Sequence, residues 1–267
     1  MDVDSVAERI RDLKIQGASN IAKAALKAYD SAEYKSSAVK KLVAARPTEP
    51  MLRNVLKLAE TEPVEQILGR LASDYDSLVR FGVSKLRRYD AIYTHCHSST
   101  VMKIIKALRP KVVYVTETRP LYQGRVTAEE LASAGIKVKF FVDSAMRLAI
   151  KDADVVLLGA DAITSEGKVI NKIGSELVAE TAKDHATPAY VCTHSLKYDP
   201  KTEFGFDTEI EKRHAKEVWA KPPRGVEVSN FAFGMINPDL VSAIISELGV
   251  LAPETFIGEF NTRWPEL

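Results

Sequence analysis

Two short stretches carry residue types able to move protons. Thr94-His95-Cys96-His97-Ser98-Ser99-Thr100 places a thiol between two histidines where an apolar segment gives way to a helical one. A thiol beside a helix N-terminus is expected to have a depressed pKa and to act as base or nucleophile. The other account of Cys96 is a small buried hydrophobe, with His95 and His97 capping or facing water. Gly159-Ala160-Asp161 puts a carboxyl at the mouth of an apolar segment, after a glycine that permits close approach. Partial desolvation there raises a carboxyl's pKa and suits it to donate a proton, although loop anchoring also explains the residue. Facing one substrate, Cys96 and Asp161 would perform acid/base chemistry. A zinc site is not expected, because His95, Cys96 and His97 cannot all converge on one ion and no partner pair follows.

Around this pair lie groups suited to anions. Ser98 and Thr100 open a helix with hydroxyls and free N–H groups, which favour phosphate and are also ordinary caps. Thr116-Glu117-Thr118-Arg119-Pro120-Leu121-Tyr122-Gln123-Gly124-Arg125 offers two guanidinium groups and an amide to phosphate and sugar oxygens, or forms a solvated turn with a Glu117–Arg119 ion pair. Asp143-Ser144 reads as a helix cap. Asn171-Lys172-Ile173-Gly174-Ser175 opens another helix with an amide and an ammonium, and Lys197 adds a cation. Lys14-Ile15-Gln16-Gly17-Ala18-Ser19 and Arg46-Pro47-Thr48 are breaks able to reach a crevice.

The elements that must position these groups change character along the chain. Apolar residues recur at helical spacing through Val6, Ile10, Ile21, Leu26, Leu42, Val55, Leu71 and Leu78, with Pro47, Pro50 and Pro63 as punctuation. Residues 1–87 are therefore read as a helical domain. Residues 88–267 alternate short Val/Ile-rich segments with helical ones, the pattern of a Rossmann-like, doubly wound parallel sheet, so the fold class is α/β. The last strand is expected over residues 226–228, a helix over 239–248, and a surface excursion over 201–224. In such sheets ligands sit beyond the carboxyl ends of the strands, where the groups above fall.

Composition narrows the classes. Among 267 residues, Lys+Arg 37 balance Asp+Glu 36, which argues against nucleic acid as partner, and 46% apolar content suits a globular chain. No window offers the roughly 18 apolar residues of a membrane span, and the acidic start Met1-Asp2-Val3-Asp4 lacks the signature of a signal peptide. A cytoplasmic protein with no membrane partner is expected, its two cysteines, Cys96 and Cys192, being free thiols.

Taken together, the Thr94–Ser98 stretch, Thr116-Glu117-Thr118-Arg119-Pro120 with Gln123-Gly124, Gly159-Ala160-Asp161-Ala162-Ile163 and Asn171-Lys172-Ile173-Gly174 resemble one family. It unites archaeal ribose-1,5-bisphosphate isomerases, methylthioribose-1-phosphate isomerases and the regulatory alpha, beta and delta subunits of translation initiation factor 2B. The likeness runs from Gly17-Ala18 through Asn230-Phe231-Ala232-Phe233 to Gly249-Val250-Leu251. It implies Cys96 as proton acceptor and Asp161 as proton donor, with Gln16, Gly17, Ala18, Arg46, Ser98, Arg119, Gln123, Asn171, Lys172 and Lys197 at the substrate. One departure stands out: where the family carries Arg-Gly-Ala this chain has Gln16-Gly17-Ala18, which removes a bidentate phosphate ligand. The implied activity is the isomerisation of ribose 1,5-bisphosphate to ribulose 1,5-bisphosphate, without metal or redox cofactor. The alternatives are a methylthioribose-1-phosphate isomerase and a non-catalytic regulatory protein of the initiation-factor-2B type. A homo-oligomer, dimer or hexamer, is also implied.

Overall fold

The structure, a computed structural model, describes residues 2–201 and 212–267. Five helices precede the first strand: α1 (Val3–Arg11), α2 (Ala18–Asp30), α3 (Lys35–Ala45), α4 (Pro50–Leu58) and α5 (Val64–Leu86). Asp2 caps α1 by accepting from the Ser5 N–H at 3.3 Å, and Pro50 opens α4, where its missing N–H costs nothing.

Then strands and helices alternate: β1 (Ala91–Thr94), α6 (Ser99–Leu108), β2 (Val112–Thr116), α7 (Gln123–Ser133), β3 (Val138–Phe141), α8 (Met146–Lys151), β4 (Val155–Leu158), β5 (Ala162–Thr164), β6 (Val169–Lys172), α9 (Ser175–Asp184), β7 (Ala189–Cys192), β8 (Tyr198–Asp199), β9 (Phe233–Ile236), β10 (Ala243–Ser246), β11 (Gly249–Leu251) and α10 (Pro253–Arg263). The main sheet has seven strands in the order β11-β10-β7-β4-β1-β2-β3, parallel except for β11. Its six parallel strands follow the order of a doubly wound dinucleotide-type sheet, with the switch point between β1 and β4. A second sheet, β8-β5-β6-β9, grows from the end of β4.

Strand side chains alternate between two cores. Tyr93, Tyr114, Val156, Leu158, Val191 and Ile244 face one that also takes in the α1–α5 residues Val6, Ile10, Leu26, Leu42, Leu56 and Ile67 and closes with Phe256 and Phe260 of α10. Ile92, Val113, Val155, Leu157, Cys192 and Ile245 face the other, against Val101 and Ile105 of α6 and Leu86 of α5. This two-residue period is what the pleat demands of strands covered on both faces. Each such Leu or Ile contributes about 1.5–3 kcal/mol by leaving water, so the edge on which the site lies is firmly held.

Three expectations fail. Residues 226–228 are largely exposed and form no strand; the strand lies instead at β9, in the second sheet. The segment expected as a helix over 239–248 is a short turn, Pro238–Leu240, followed by β10. Ala243-Ile244-Ile245-Ser246 is buried throughout beside β7, and Gly249 at φ +127° turns the chain into β11. Burial and β-branching there outweigh helical spacing. Asn171 and Lys172 end β6 rather than opening α9, which begins at Ser175 after Gly174 turns at φ +94°. Of the expected surface excursion, residues 202–211 lie outside those described, and the rest are exposed or half-buried, Arg213 and Glu217 among the latter.

Candidate active site

Because β1 and β4 are neighbours in register, Thr94 opposite Leu157, the segments that leave their carboxyl ends emerge side by side at the switch point. Cys96 follows the first and Asp161 the second, and both line one cavity of about 420 Å³. A cavity of that volume suits a small ligand. Gly159 permits the approach: a Cβ there would stand 2.8 Å from the Ser98 side chain, so only hydrogen lets β4 end against the start of α6.

The thiol is held by unusual backbone. Cys96 has φ +68° and Thr118, across from it, φ +61°, left-handed conformations that cost a non-glycine residue about 1–2 kcal/mol. Hydrogen bonds compensate. The Cys96 N–H donates to Thr118 Oγ1 at 2.9 Å, and its carbonyl accepts from Thr127 Oγ1 at 2.8 Å. Asp143 accepts from the Thr118 and Arg119 N–H groups at 2.8 and 2.7 Å. It therefore anchors the loop after β2 instead of capping α8.

His95 is a strut. It is buried, and the Tyr93 hydroxyl donates to Thr116 Oγ1 at 3.0 Å, whose hydroxyl donates to His95 Nδ1 at 2.9 Å. The other ring nitrogen donates to the Ile173 carbonyl at 2.9 Å, which fixes the tautomer. Burial lowers its pKa, so the ring stays neutral and engaged at both nitrogens, and it cannot take a proton from Cys96. His97 bonds Thr127 Oγ1 at 3.0 Å and lies 3.6 Å from Glu130, while burial again lowers its pKa. Neither histidine activates the thiol. Contrary to the sequence expectation, burial pushes the Cys96 thiol up, to about 11, against a smaller downward pull from the Lys172 ammonium. Desolvation outweighs the helix terminus that the sequence made visible.

Most of the other expected residues converge on this cavity. Gln16, Gly17, Ala18, Arg46, Ser98, Gln123, Asn171, Lys172 and Lys197 all line it. Lys197 donates from Nζ to the Ala160 carbonyl at 2.5 Å, beside Asp161. The Asn171 amide donates to Ser175 Oγ at 2.9 Å, which leaves its oxygen toward the Ser98–Gly159 contact. Gln123 Oε1 is buried and, among the described residues, has no hydrogen-bond partner, as expected of an atom reserved for a ligand. Gln16 spends its amide on the Leu13 carbonyl at 2.8 Å, so this position brings no cation to the cavity.

Arg119 does not line the cavity. Its guanidinium donates to the Tyr122 hydroxyl and, at 2.9 Å, to the Val218 carbonyl, and the expected pair with Glu117 is made instead by Arg125 at 3.5 Å. Conversely, Arg213, Tyr75 and Phe233 line the cavity without having been singled out. Arg213 is paired with Glu217 at 2.7 Å and belongs to the charged segment read as surface; Tyr75 passes for an ordinary core residue of α5. Behind Tyr75, His194 accepts from the Leu196 N–H on Nδ1 at 3.1 Å and turns Nε2 to Asp74 at 3.5 Å. With Glu247 this makes a buried cluster that ties α5 to the β7 and β10 ends.

At the switch point of this sheet a thiol and a carboxyl thus stand on neighbouring strand ends among amides and cations, groups able to exchange protons and to hold an anion. Residues 13–253 match the Initiation factor 2 subunit family, and the chain belongs to it. It is 35% identical to the ribose 1,5-bisphosphate isomerase of Thermococcus kodakarensis, over 94% of this chain and 91% of that one. It is 31% identical to the methylthioribose-1-phosphate isomerase of Heliobacterium modesticaldum, over 93% and 87%. The crystal structure of the Pyrococcus horikoshii OT3 translation initiation factor eIF-2B superposes with a TM-score of 0.82 at 27% identity, covering 96% of this chain and 98% of that one. Among the described residues no helix is long and apolar enough to cross a membrane.

Proposed function

We propose that the protein converts ribose 1,5-bisphosphate to ribulose 1,5-bisphosphate, with Cys96 and Asp161 exchanging protons with the sugar. The observation that carries this reading is the pair itself, set at the switch point in a cavity lined by Arg46, Gln123, Asn171, Lys172 and Lys197. The likeness to relatives named for that activity supports it.

Carbon 1 of the substrate bears a phosphate, so the ring cannot open to a free aldehyde. The protonated Asp161 carboxyl donates to the ring oxygen as its bond to carbon 1 breaks, and the Cys96 thiolate removes the proton from carbon 2, leaving an enol phosphate. The Cys96 thiol then protonates carbon 1 while Asp161 takes the hydroxyl proton from carbon 2, which becomes the ketone. Both groups return to their starting state. Lys172, Lys197 and Arg46 hold the phosphates and face the oxygens on which charge develops, and the side-chain oxygens of Gln123 and Asn171 accept from the sugar hydroxyls.

The test is a coupled assay for ribulose 1,5-bisphosphate. Cys96→Ser and Asp161→Asn should each lower kcat by about 10²- to 10⁴-fold while circular dichroism stays unchanged. Turnover near wild type in either variant excludes the mechanism. A second reading draws on Gln16: with its amide held by Leu13, the site has one cation fewer for a second phosphate. Turnover of methylthioribose 1-phosphate but not of the bisphosphate would favour that isomerase, and turnover of neither a regulatory protein.

A further inference from the structure

Glu49 belongs to no motif and does not line the cavity, yet its surroundings tie it to the site. It caps α4 from a position in which its side chain makes no cap hydrogen bond. The residue is 4% exposed, and Oε1 is buried without a hydrogen-bond partner among the described residues. The charges acting on it are those of Lys197, Asp161, Arg46 and Arg53. Arg53 is already committed to Asp199 at 2.7 Å. Asn54, on the same helix, donates to the carbonyls of Leu196 and Tyr198, both at 2.9 Å, and so clamps α4 against the turn that carries Lys197. Lys197 in turn holds the Ala160 carbonyl next to Asp161. A dry carboxyl is thus held next to Arg46, whose carbonyl accepts from the Glu49 N–H at 3.3 Å, at the start of the helix clamped to the Lys197 turn; Arg46 and Lys197 line the cavity, and Asp161 adds a like charge.

We propose that Glu49 is a positioning residue that makes the binding of phosphorylated ligands proton-linked: its carboxylate competes with the ligand phosphate for Lys197 and Arg46, so the ligand binds with uptake of a proton at Glu49. A buried carboxylate stays ionised only while the cations beside it are available. When a phosphate engages Arg46 and Lys197, that compensation is withdrawn and two more negative charges arrive, so the carboxyl takes a proton. Burial, reinforced by Asp161 and opposed by Lys197, Arg46 and Arg53, already pushes Glu49 up to about 7, so the exchange falls in the neutral range. The sign follows: affinity for a phosphorylated ligand is highest below pH 7 and falls as pH rises through the Glu49 titration.

This inference rests on reading the cavity as a sugar-phosphate site. Its test is isothermal titration calorimetry of ribulose 1,5-bisphosphate into the wild-type protein at pH 7.5, in two buffers of different ionisation enthalpy. Uptake of more than about half a proton per site is expected in wild type and in Glu49→Asp, and its disappearance in Glu49→Gln. The ligand's phosphate groups, with a second pKa near 6, add a small proton release common to all three proteins, because cations favour the dianion. In turnover, wild-type KM should rise roughly 3- to 10-fold between pH 6.5 and 8.5, and Glu49→Gln should flatten that rise. Absence of excess uptake in wild type, or an undiminished uptake in Glu49→Gln, overturns the proposal even if Glu49→Gln folds poorly, because the first needs no variant. Proton-linked binding without turnover supports the Glu49 assignment and overturns the isomerase reading; turnover without proton linkage does the reverse; and failure to bind any sugar phosphate overturns both.

Discussion

Cys192 closes β7 and Cys96 lies just past β1, two strand ends of one sheet separated only by β4. Burial pushes both thiols up, to about 12 and about 11 respectively. What differs is what stands against burial. For Cys192 nothing does: the side chain is packed among Ile92, Leu157, Tyr190 and Ile245. For Cys96 the Lys172 ammonium and a backbone hydrogen bond at His97 pull the other way, and the left-handed backbone lifts the residue out of the pleat into the cavity. The comparison sets the two thiols apart by position, Cys96 lying beyond the strand where cations gather, and not by the depressed pKa that the sequence suggested.

Alkylation breaks or sharpens this contrast most directly. Iodoacetamide at pH 8–9 should modify Cys96 at least about 100-fold faster than Cys192 in the folded protein, and the difference should vanish in denaturant. The Cys96 rate should rise about tenfold per pH unit below its pKa, because only the thiolate reacts. Turnover, by contrast, should stay flat over pH 7–9 when kcat is measured at saturating substrate. In the proposed mechanism the proton lost by Cys96 is gained by Asp161, so the reactive form differs from the resting one by no net protonation and its share does not depend on pH. Peptide mass spectrometry and a kcat profile check the two halves. Faster labelling of Cys192 would undo the comparison, and a kcat that climbs with the alkylation rate would place the acid elsewhere.

Lys172 is the next lever. It stands 5.3 Å over the Phe233 ring and is the largest influence lowering the Cys96 pKa. Lys172→Met should raise that pKa further, slow alkylation at fixed pH and lower kcat by roughly tenfold, one pKa unit being about 1.4 kcal/mol. An unchanged alkylation rate would show that the ammonium does not act on the thiol.

How far the sequence went follows the same division. The β/α alternation places residues after strands, and with them Cys96, Ser98, Gln123, Asp161 and Lys197; position along a strand is legible because side chains there obey a period of two. Whatever depends on the third dimension was not. Arg119 looked like a phosphate ligand until the Val218 carbonyl, 99 residues on, was seen to take its guanidinium. Glu49 drew no reading at all, because nothing in Thr48-Glu49-Pro50 tells that its side chain turns inward. Arg213 hid in a charged segment, and β10 was mistaken for a helix because its buried run is too short for periodicity to decide.

The smallest effects belong to Cys192, and they close the comparison. Cys192→Ala should leave kcat within about twofold and lower stability by about 1–2 kcal/mol through the cavity it creates. The pH dependence carries the sharper signal. Below pH 9, the ordinary value of the thiol, folded and unfolded chains both hold the proton, and Cys192 contributes no pH dependence. Above it the unfolded chain releases the proton while the folded chain keeps it up to about 12, so stability falls with rising pH by up to about 1.4 kcal/mol per unit. Cys192→Ala lacks this term. Urea midpoints at pH 8.5 and 10 should therefore drop further in wild type than in the variant, and equal drops would mean that the sulfur is not held in the dry interior that sets it apart from Cys96.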